Sequence, residues 1–203
     1  MVTECRCKVL RQPKSKKAFA EALSLLLQQI DFEKLTISDI IEKSGYSRGT
    51  FYRYYNDKHD FLQKVLAHEA NIYAVIIHHI LRSSSTDEKQ SYLKEYLSYV
   101  HKNRTLYHAI LNDLIPSCTQ HQFIKLAMDY CKLYIELPAK QNKKEINQDF
   151  CYFAIAYTLF GWVAFWDHND YSYTPAYISK QLTNLTMPDS SFLQSFSFSC
   201  IPR

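Results

Sequence analysis

The chain has 203 residues, of which 47% are hydrophobic and 15% aromatic. That composition excludes a disordered segment and allows one compact unit or two small ones around a sizeable core. The net charge is +4, and its placement is uneven: residues 1–64 carry 12 Lys and Arg against 8 Asp and Glu, whereas residues 65–203 carry 12 of each. The excess positive charge lies in the first third, which points to a polyanionic partner there, most simply nucleic acid.

The opening MVTECRCKVLRQPKSKK has basic residues with no apolar run behind them, so it does not read as a targeting signal. Phe19, Leu23, Leu26, Leu27 and Ile30 recur at helical spacing and predict a first helix from about Ser15 to Ile30. Thr36, three residues before Asp39, starts a short second helix whose buried stripe is Ile37, Ile40 and Ile41. Gly45 can adopt the left-handed conformation that closes a helix, so this one ends near Ser44. Ser47 caps a third helix carrying Arg48 through Tyr55. Asp57 and Asp60 then start a fourth, which runs to Arg82 and stops at SSSTDE.

The remainder is helical without the charge excess. Tyr92, Leu93, Tyr96, Leu97 and Val100 form one stripe, and Leu106, Ile110, Leu111 and Leu114 another, closed by Pro116. Phe123, Ala127, Tyr130 and Tyr134 mark a helix that stops before Pro138, and the basic loop KQNKK leads to a long apolar helix at about 146–168. Thr174 with Pro175 opens a last helix ending near Met187-Pro188, and the Ser-rich tail reads as loosely ordered. No convincing strand and no internal repeat is found. Residues 150–166, FCYFAIAYTLFGWVAFW, are uncharged, and as a helix would span about 25 Å, the short end for crossing a membrane. Their aromatics are spread throughout rather than gathered at the ends, so the segment reads as a helix covered by its own domain and by a partner subunit. The cysteines at 5, 7, 118, 131, 151 and 200 have no disulfide-framework spacing and read as reduced thiols in a cytoplasmic protein.

Two short helices joined by a glycine turn make a helix-turn-helix, whose second helix is the one presented to the DNA major groove. Phe51 and Tyr55, with Tyr46, are expected to face the core, and Tyr52 and Tyr54 to flank it with hydroxyls toward phosphate. Gly49 in the first turn of the presented helix costs up to about 1 kcal/mol relative to alanine; its use is clearance where backbone meets nucleic acid. Arg48 is the residue placed to read a base, Thr50 to touch a thymine methyl or a phosphate. Thr36 and Lys58 sit at helix N-termini, which favour phosphate, and Lys14, Lys16 and Lys17 can follow the DNA backbone or enter the minor groove.

TISDIIEKSGYSRGTFYRYYNDKHDFL, residues 36–62, resembles the DNA-binding domain of TetR-family transcriptional regulators. The resemblance implies that Thr36, Ser47, Arg48, Thr50, Tyr52, Tyr54 and Lys58 face DNA. Residues 160–182, FGWVAFWDHNDYSYTPAYISKQL, resemble one subgroup of that family's C-terminal domains, which implies a homodimer built from the last two helices, about 146–168 and 174–187. The chain departs from the family pattern at Asp31, where glycine is common and aspartate tolerates the left-handed state. It departs also at Tyr46 (commonly valine), at Ile41 and Ser44 (commonly alanine), and at Arg53 (commonly histidine), which adds positive charge toward the DNA backbone.

Enzyme readings fare poorly. Three glycines leave no nucleotide-binding GxGxxG or P-loop to be written. His68-Glu69 has no second histidine at position 72, and Cys5-x-Cys7 and Cys118-x-x-His121 lack the other half of a zinc site. No metal and no cofactor is implied. Tyr99, Tyr107, Phe123, Tyr130, Tyr134 and Trp162 are expected either to line a cavity for a small apolar or aromatic effector or simply to pack a core. The sequence thus reads as an all-α protein of about nine helices, with a helix-turn-helix domain at 1–65 and an effector and dimerisation domain at 66–203. Its expected role is that of a ligand-responsive repressor binding a palindromic operator. The alternatives are an activator, or an interaction or ligand-binding module whose head no longer recognises DNA.

Overall fold

A computed structural model describes residues 12–112, 114–115, 119–136, 140–141, 144–145 and 147–186. Among them are nine helices: α1 (Lys14–Leu26), α2 (Ile37–Ser44), α3 (Arg48–Tyr52), α4 (Lys58–Arg82), α5 (Thr86–Lys102), α6 (Arg104–Leu111), α7 (Thr119–Tyr134), α8 (Gln148–His168) and α9 (Pro175–Thr186). One difference from the sequence reading lies in the basic loop after α7, where β1 (Lys140–Gln141) pairs antiparallel with β2 (Lys144–Glu145). Two residues per strand are too few for an alternating pattern to show. Pro116, Pro138, the tail from residue 187 and the cysteines at 5, 7, 118 and 200 lie outside the described residues. Cys131 and Cys151 are free thiols.

The head, α1 to α3, is set by its caps. At Thr36 the hydroxyl accepts from the Asp39 N–H at 3.2 Å while the Thr36 N–H donates to the Asp39 carboxylate at 2.8 Å, closing a capping box. The Thr36 hydroxyl also donates to that carboxylate at 2.7 Å, and this bond, followed by the one from the Thr36 N–H, holds the Asp39 carboxyl below its ordinary pKa. Gly45 has φ 71°, and its N–H bonds the Ile41 carbonyl at 3.1 Å, ending α2 where expected. Ser47 caps α3 by accepting from the Thr50 N–H at 3.2 Å, and Asp57 caps α4 by accepting from the His59 and Asp60 N–H groups, each at 2.8 Å.

Two head helices end earlier than their periodicity suggests. α1 stops at Leu26, and the Gln29 N–H bonds the Leu26 carbonyl at 2.9 Å, a tightened turn that brings Phe32 and Leu35 back into the core. α3 stops at Tyr52, with the Tyr54 N–H on the Phe51 carbonyl at 2.9 Å in the same manner. Asp31 does not use the left-handed conformation that aspartate tolerates: among the described residues positive φ occurs at Gly45, Asp170 and Tyr171.

α4 leaves the head and enters the body, packing against α5 and α7. Its buried stripe of Leu62, Val65, Leu66, Tyr73 and Ile76 continues the head's core into that of the body. α9 packs on α5, and α7 on α8. Buried phenols tie helices together: the Tyr73 hydroxyl donates to the Ile155 carbonyl of α8 at 2.6 Å, and the Tyr152 hydroxyl to the Ile135 carbonyl at 2.7 Å. The turn between α8 and α9 places Asp170 and Tyr171 at φ 51° and 53°, and the Trp166 indole N–H closes it by donating to the Tyr173 carbonyl at 3.0 Å.

The apolar character of α8 now has a geometric account. Tyr152, Ala156, Leu159, Phe160, Val163 and Trp166 are buried within the chain. Phe150, Phe153, Tyr157 and Phe165, at successive spacings of three, four and eight, lie on the other side and are exposed, Phe150 to 68% and Phe165 to 55%. By length and composition alone α8 is also long and apolar enough to cross a membrane.

Candidate nucleic-acid interface

The head is assembled around the Phe51 ring, which is fully buried and meets Phe19, Tyr55 and Phe61 at centroid distances of 5.3, 5.1 and 5.5 Å. Tyr46 is half-buried against Phe19 at 5.7 Å, so the aromatics sort between core and surface as their spacing suggests. With one side of α3 fixed inward, Arg48, Gly49, Tyr52 and Arg53 share the opposite arc and are exposed, and Thr50 is half-buried beside them.

Each of these groups has a defined setting. The Arg48 guanidinium donates to the Ser38 hydroxyl of α2 at 3.3 Å, which leaves most of its donors free. The Ser47 and Thr50 hydroxyls share a hydrogen bond of 3.0 Å. Around Gly49 there is open space: an added Cβ would meet nothing closer than the Ser47 Oγ at 3.9 Å. Nothing inside the chain therefore requires glycine at this position. Tyr52 is 47% exposed.

Tyr54 joins α1 to the end of α3. Lys16 and Arg53 lie over its ring at 4.9 and 5.0 Å from the centroid, and Arg53 also donates to its hydroxyl at 3.2 Å. A hydrogen bond from Ser15, followed by the charges of Arg53 and Lys16, pulls the Tyr54 phenol below its ordinary pKa. Lys14 and Lys17 are exposed, Lys17 lying 3.7 Å from Glu21.

Lys58 is placed differently from what its position at a helix start suggested. Its ammonium donates to the carbonyl oxygens of Phe32, Glu33 and Leu35 at 3.0, 2.9 and 3.2 Å, so all three donors close the turn before α2. Ser15 and Ser38 are the residues that reasoning from sequence missed. Both are small serines on helices, and only their position beneath Tyr54 and Arg48 marks them.

The six aromatics named as a possible effector pocket are dispersed over the core and three separate hollows. Tyr107 and Phe123 are fully buried in the core, 6.4 Å apart between ring centroids. Tyr99 lines a cavity beside α1, Tyr134 lines a groove with His78 and Arg82, and Trp162 lines a third hollow with Phe165 and Tyr177. Tyr130 stacks on Tyr134 at 6.5 Å. Each of these three hollows is lined by a single one of the six.

Comparisons with known proteins agree with this arrangement. Residues 15–65 match the family described as bacterial regulatory proteins, tetR family, and residues 87–188 match a transcriptional regulator C-terminal region. The uncharacterized HTH-type transcriptional regulator YxbF of Bacillus subtilis (strain 168) is 26% identical over 169 residues, which is 81% of this chain. The chain spans 43% of that relative's length. Among solved structures, FadR from Bacillus subtilis in complex with stearoyl-CoA superposes with a TM-score of 0.59 at 17% identity, over 85% of this chain and 95% of that one. The fatty acid degradation regulator FadR from Bacillus halodurans gives 0.59 at 16% identity, over 86% and 95%. At such identities the likeness is one of fold. The two matched regions, together with the capped helix-turn-helix and the helical body behind it, show that the chain belongs to the TetR family of transcriptional regulators.

Proposed function

We propose that the protein is a cytoplasmic repressor that binds a palindromic operator as a homodimer and releases it on binding an effector. The observation that carries this reading is the two-sided α3: Phe51 anchors it while Arg48, Gly49, Tyr52 and Arg53 stand outward. In this reading Arg48 reads a base edge, and Thr50, Tyr52, Ser47 and the Lys16–Arg53–Tyr54 cluster meet phosphates. At the α2 start the capping box occupies the Thr36 and Asp39 N–H groups, which leaves those of Ile37 and Ser38 for phosphate, and Lys14 and Lys17 follow the backbone. Lys58 serves by holding the turn before α2. The exposed arc of α8 with Tyr173 and Tyr177 supports pairing with a second copy, and two heads then occupy major grooves about one turn, roughly 34 Å, or somewhat more apart. An effector with an apolar part is in keeping with the acyl chain of the stearoyl-CoA bound by Bacillus subtilis FadR.

The test is selection of bound duplexes from a random pool, followed by titration across salt. Arg48→Ala is expected to lose discrimination at one base position by about 1–3 kcal/mol, with folding and association unchanged. Wild-type protein without salt-sensitive duplex binding, or Arg48→Ala protein with the same sequence preference, would refute the reading. Gly49→Ala separates stability from binding. Because the new methyl group enters open space on a helix, the variant is expected to be more stable by up to about 1 kcal/mol and yet to bind duplex more weakly. Equal or tighter binding by that variant removes the clearance role.

A further inference from the structure

Glu69 interrupts the apolar stripe of α4. It is 3% exposed, and its carboxylate accepts from the Tyr99 hydroxyl at 2.8 Å and the Tyr107 hydroxyl at 3.0 Å. One hydrogen bond per oxygen leaves acceptor capacity on both. Among the described residues no cation pairs with it. Such a carboxylate is costly unless something compensates its charge. Burial pushes its pKa up to about 7, against the opposing pull of the two phenols.

Glu69 borders a cavity of about 210 Å³ at the junction of head and body. Ala20 and Ser24 of α1 form one wall, Tyr99 and Leu106 the other, and His68 lies beside Glu69. Burial lowers the His68 pKa to about 4, so its imidazole is neutral near neutral pH and adds no cation. The charged groups at the cavity besides Glu69 are Lys17 and Glu21 on α1 and Lys102 on α5, all exposed. The remaining titratable neighbours of Glu69 are the phenols of Tyr96, Tyr99 and Tyr107, and Tyr96 and Tyr107 are fully buried. The interior is thus rich in acceptors and apolar surface. An anion drawn in by the outer lysines would meet a buried carboxylate.

We propose that this cavity is a binding site for a small organic cation, a primary amine with a compact apolar body, whose ammonium pairs with the Glu69 carboxylate. The body of the ligand lies against Ala20 and Leu106, where an ammonium alone would leave the walls dry. The occupant touches α1 on one side and α5 and α6 on the other, across the seam that the Gln28 amide bridges to the Thr105 hydroxyl at 3.0 Å. Occupancy therefore bears on how the head is seated. That consequence rests on the regulator reading, whereas binding itself does not.

The sign of the pH dependence follows from the raised carboxyl. The fold favours protonated Glu69, a contribution complete below the ordinary value of 4.5 and lost as pH rises through about 7. An ammonium favours the ionised form, so binding on the acidic side of that range expels a proton and binding on the alkaline side does not. Calorimetry on the full chain without DNA, at about pH 6 and about pH 8, uses benzylamine, benzyl alcohol and benzoate as three probes of similar shape. Benzylamine is expected to bind one site and the alcohol to bind about tenfold or more weakly, the scale of one charge-assisted hydrogen bond, with benzoate excluded. Proton release should accompany the amine at the lower pH only. Glu69→Gln should weaken benzylamine by the same factor. Should that variant fold poorly, the carboxyl carbon resonance of Glu69 in wild-type protein gives the answer, since its titration should move to lower pH when benzylamine is present. Equal affinity for amine and alcohol, undiminished amine binding by Glu69→Gln, or a Glu69 titration indifferent to the amine each overturns the site, whatever the DNA experiments show.

Discussion

Phe51→Ala is expected to lower the stability of the protein by about 3–5 kcal/mol, read as a shift in the urea unfolding midpoint. The ring is fully buried, and three aromatic neighbours from α1, the turn after α3 and α4 meet it within 5.5 Å. Each such pairing adds about 0.5–1.5 kcal/mol beyond the burial of area. Stiff rings on all sides cannot collapse into the space left behind, which puts the loss toward the upper end for a large-to-small change. Tyr52→Ala, one position along and half-exposed, serves as the control and should cost under about 1 kcal/mol. If Phe51→Ala is as mild as Tyr52→Ala, the head is not organised on this ring. Duplex binding should fall with Phe51→Ala as well, because the ring fixes the orientation of α3.

Phe165→Glu is expected to convert the proposed homodimer to monomers, as measured by sedimentation equilibrium or light scattering. The side chain is 55% exposed in the single chain, so the substitution leaves the monomer's own fold nearly untouched. In a two-fold interface each substitution counts twice, so losing a buried phenylalanine from both copies weakens association by about 3–6 kcal/mol, or roughly two to four orders of magnitude. Two carboxylates brought into an apolar interface add to that loss. Gly161 occupies the same exposed side, with open space where its side chain would be, which permits a second helix to approach closely there. Phe165→Glu protein that remains dimeric would place the interface elsewhere.

The caps were legible because their partners are local. Thr36 with Asp39, Gly45, Ser47 with Thr50, and Asp57 with Asp60 each depend on residues within four positions. The stripe from Tyr92 to Val100 was legible for the same reason, since all five of its residues are buried. The contacts of the Lys58 ammonium were not legible because its carbonyl partners lie 23 to 26 positions earlier, in a turn that no periodicity describes. The Glu69 cluster escaped notice although a signal existed. Leu66, Glu69, Tyr73 and Ile76 fall at helical spacing, so a carboxylate stood on a stripe otherwise apolar, and its tyrosine partners lie 30 and 38 positions further on. The early end of α1 was hidden for another reason. Ile30 continues the apolar rhythm, yet Phe32 and Leu35 must turn inward just beyond it.

The unbroken course of α4 has a mechanical corollary. Its 25 residues, Lys58 to Arg82, contain neither glycine nor proline, so it behaves as a stiff rod about 37 Å long. With no weak joint along it, displacement at the Arg82 end reaches the helix-turn-helix as a swing of the whole rod. A tilt of about 5° displaces the far tip by about 3 Å, close to the rise of one base pair, so in the proposed operator-binding role a modest shift deep in the body would be geared up into a mismatch of register on the duplex.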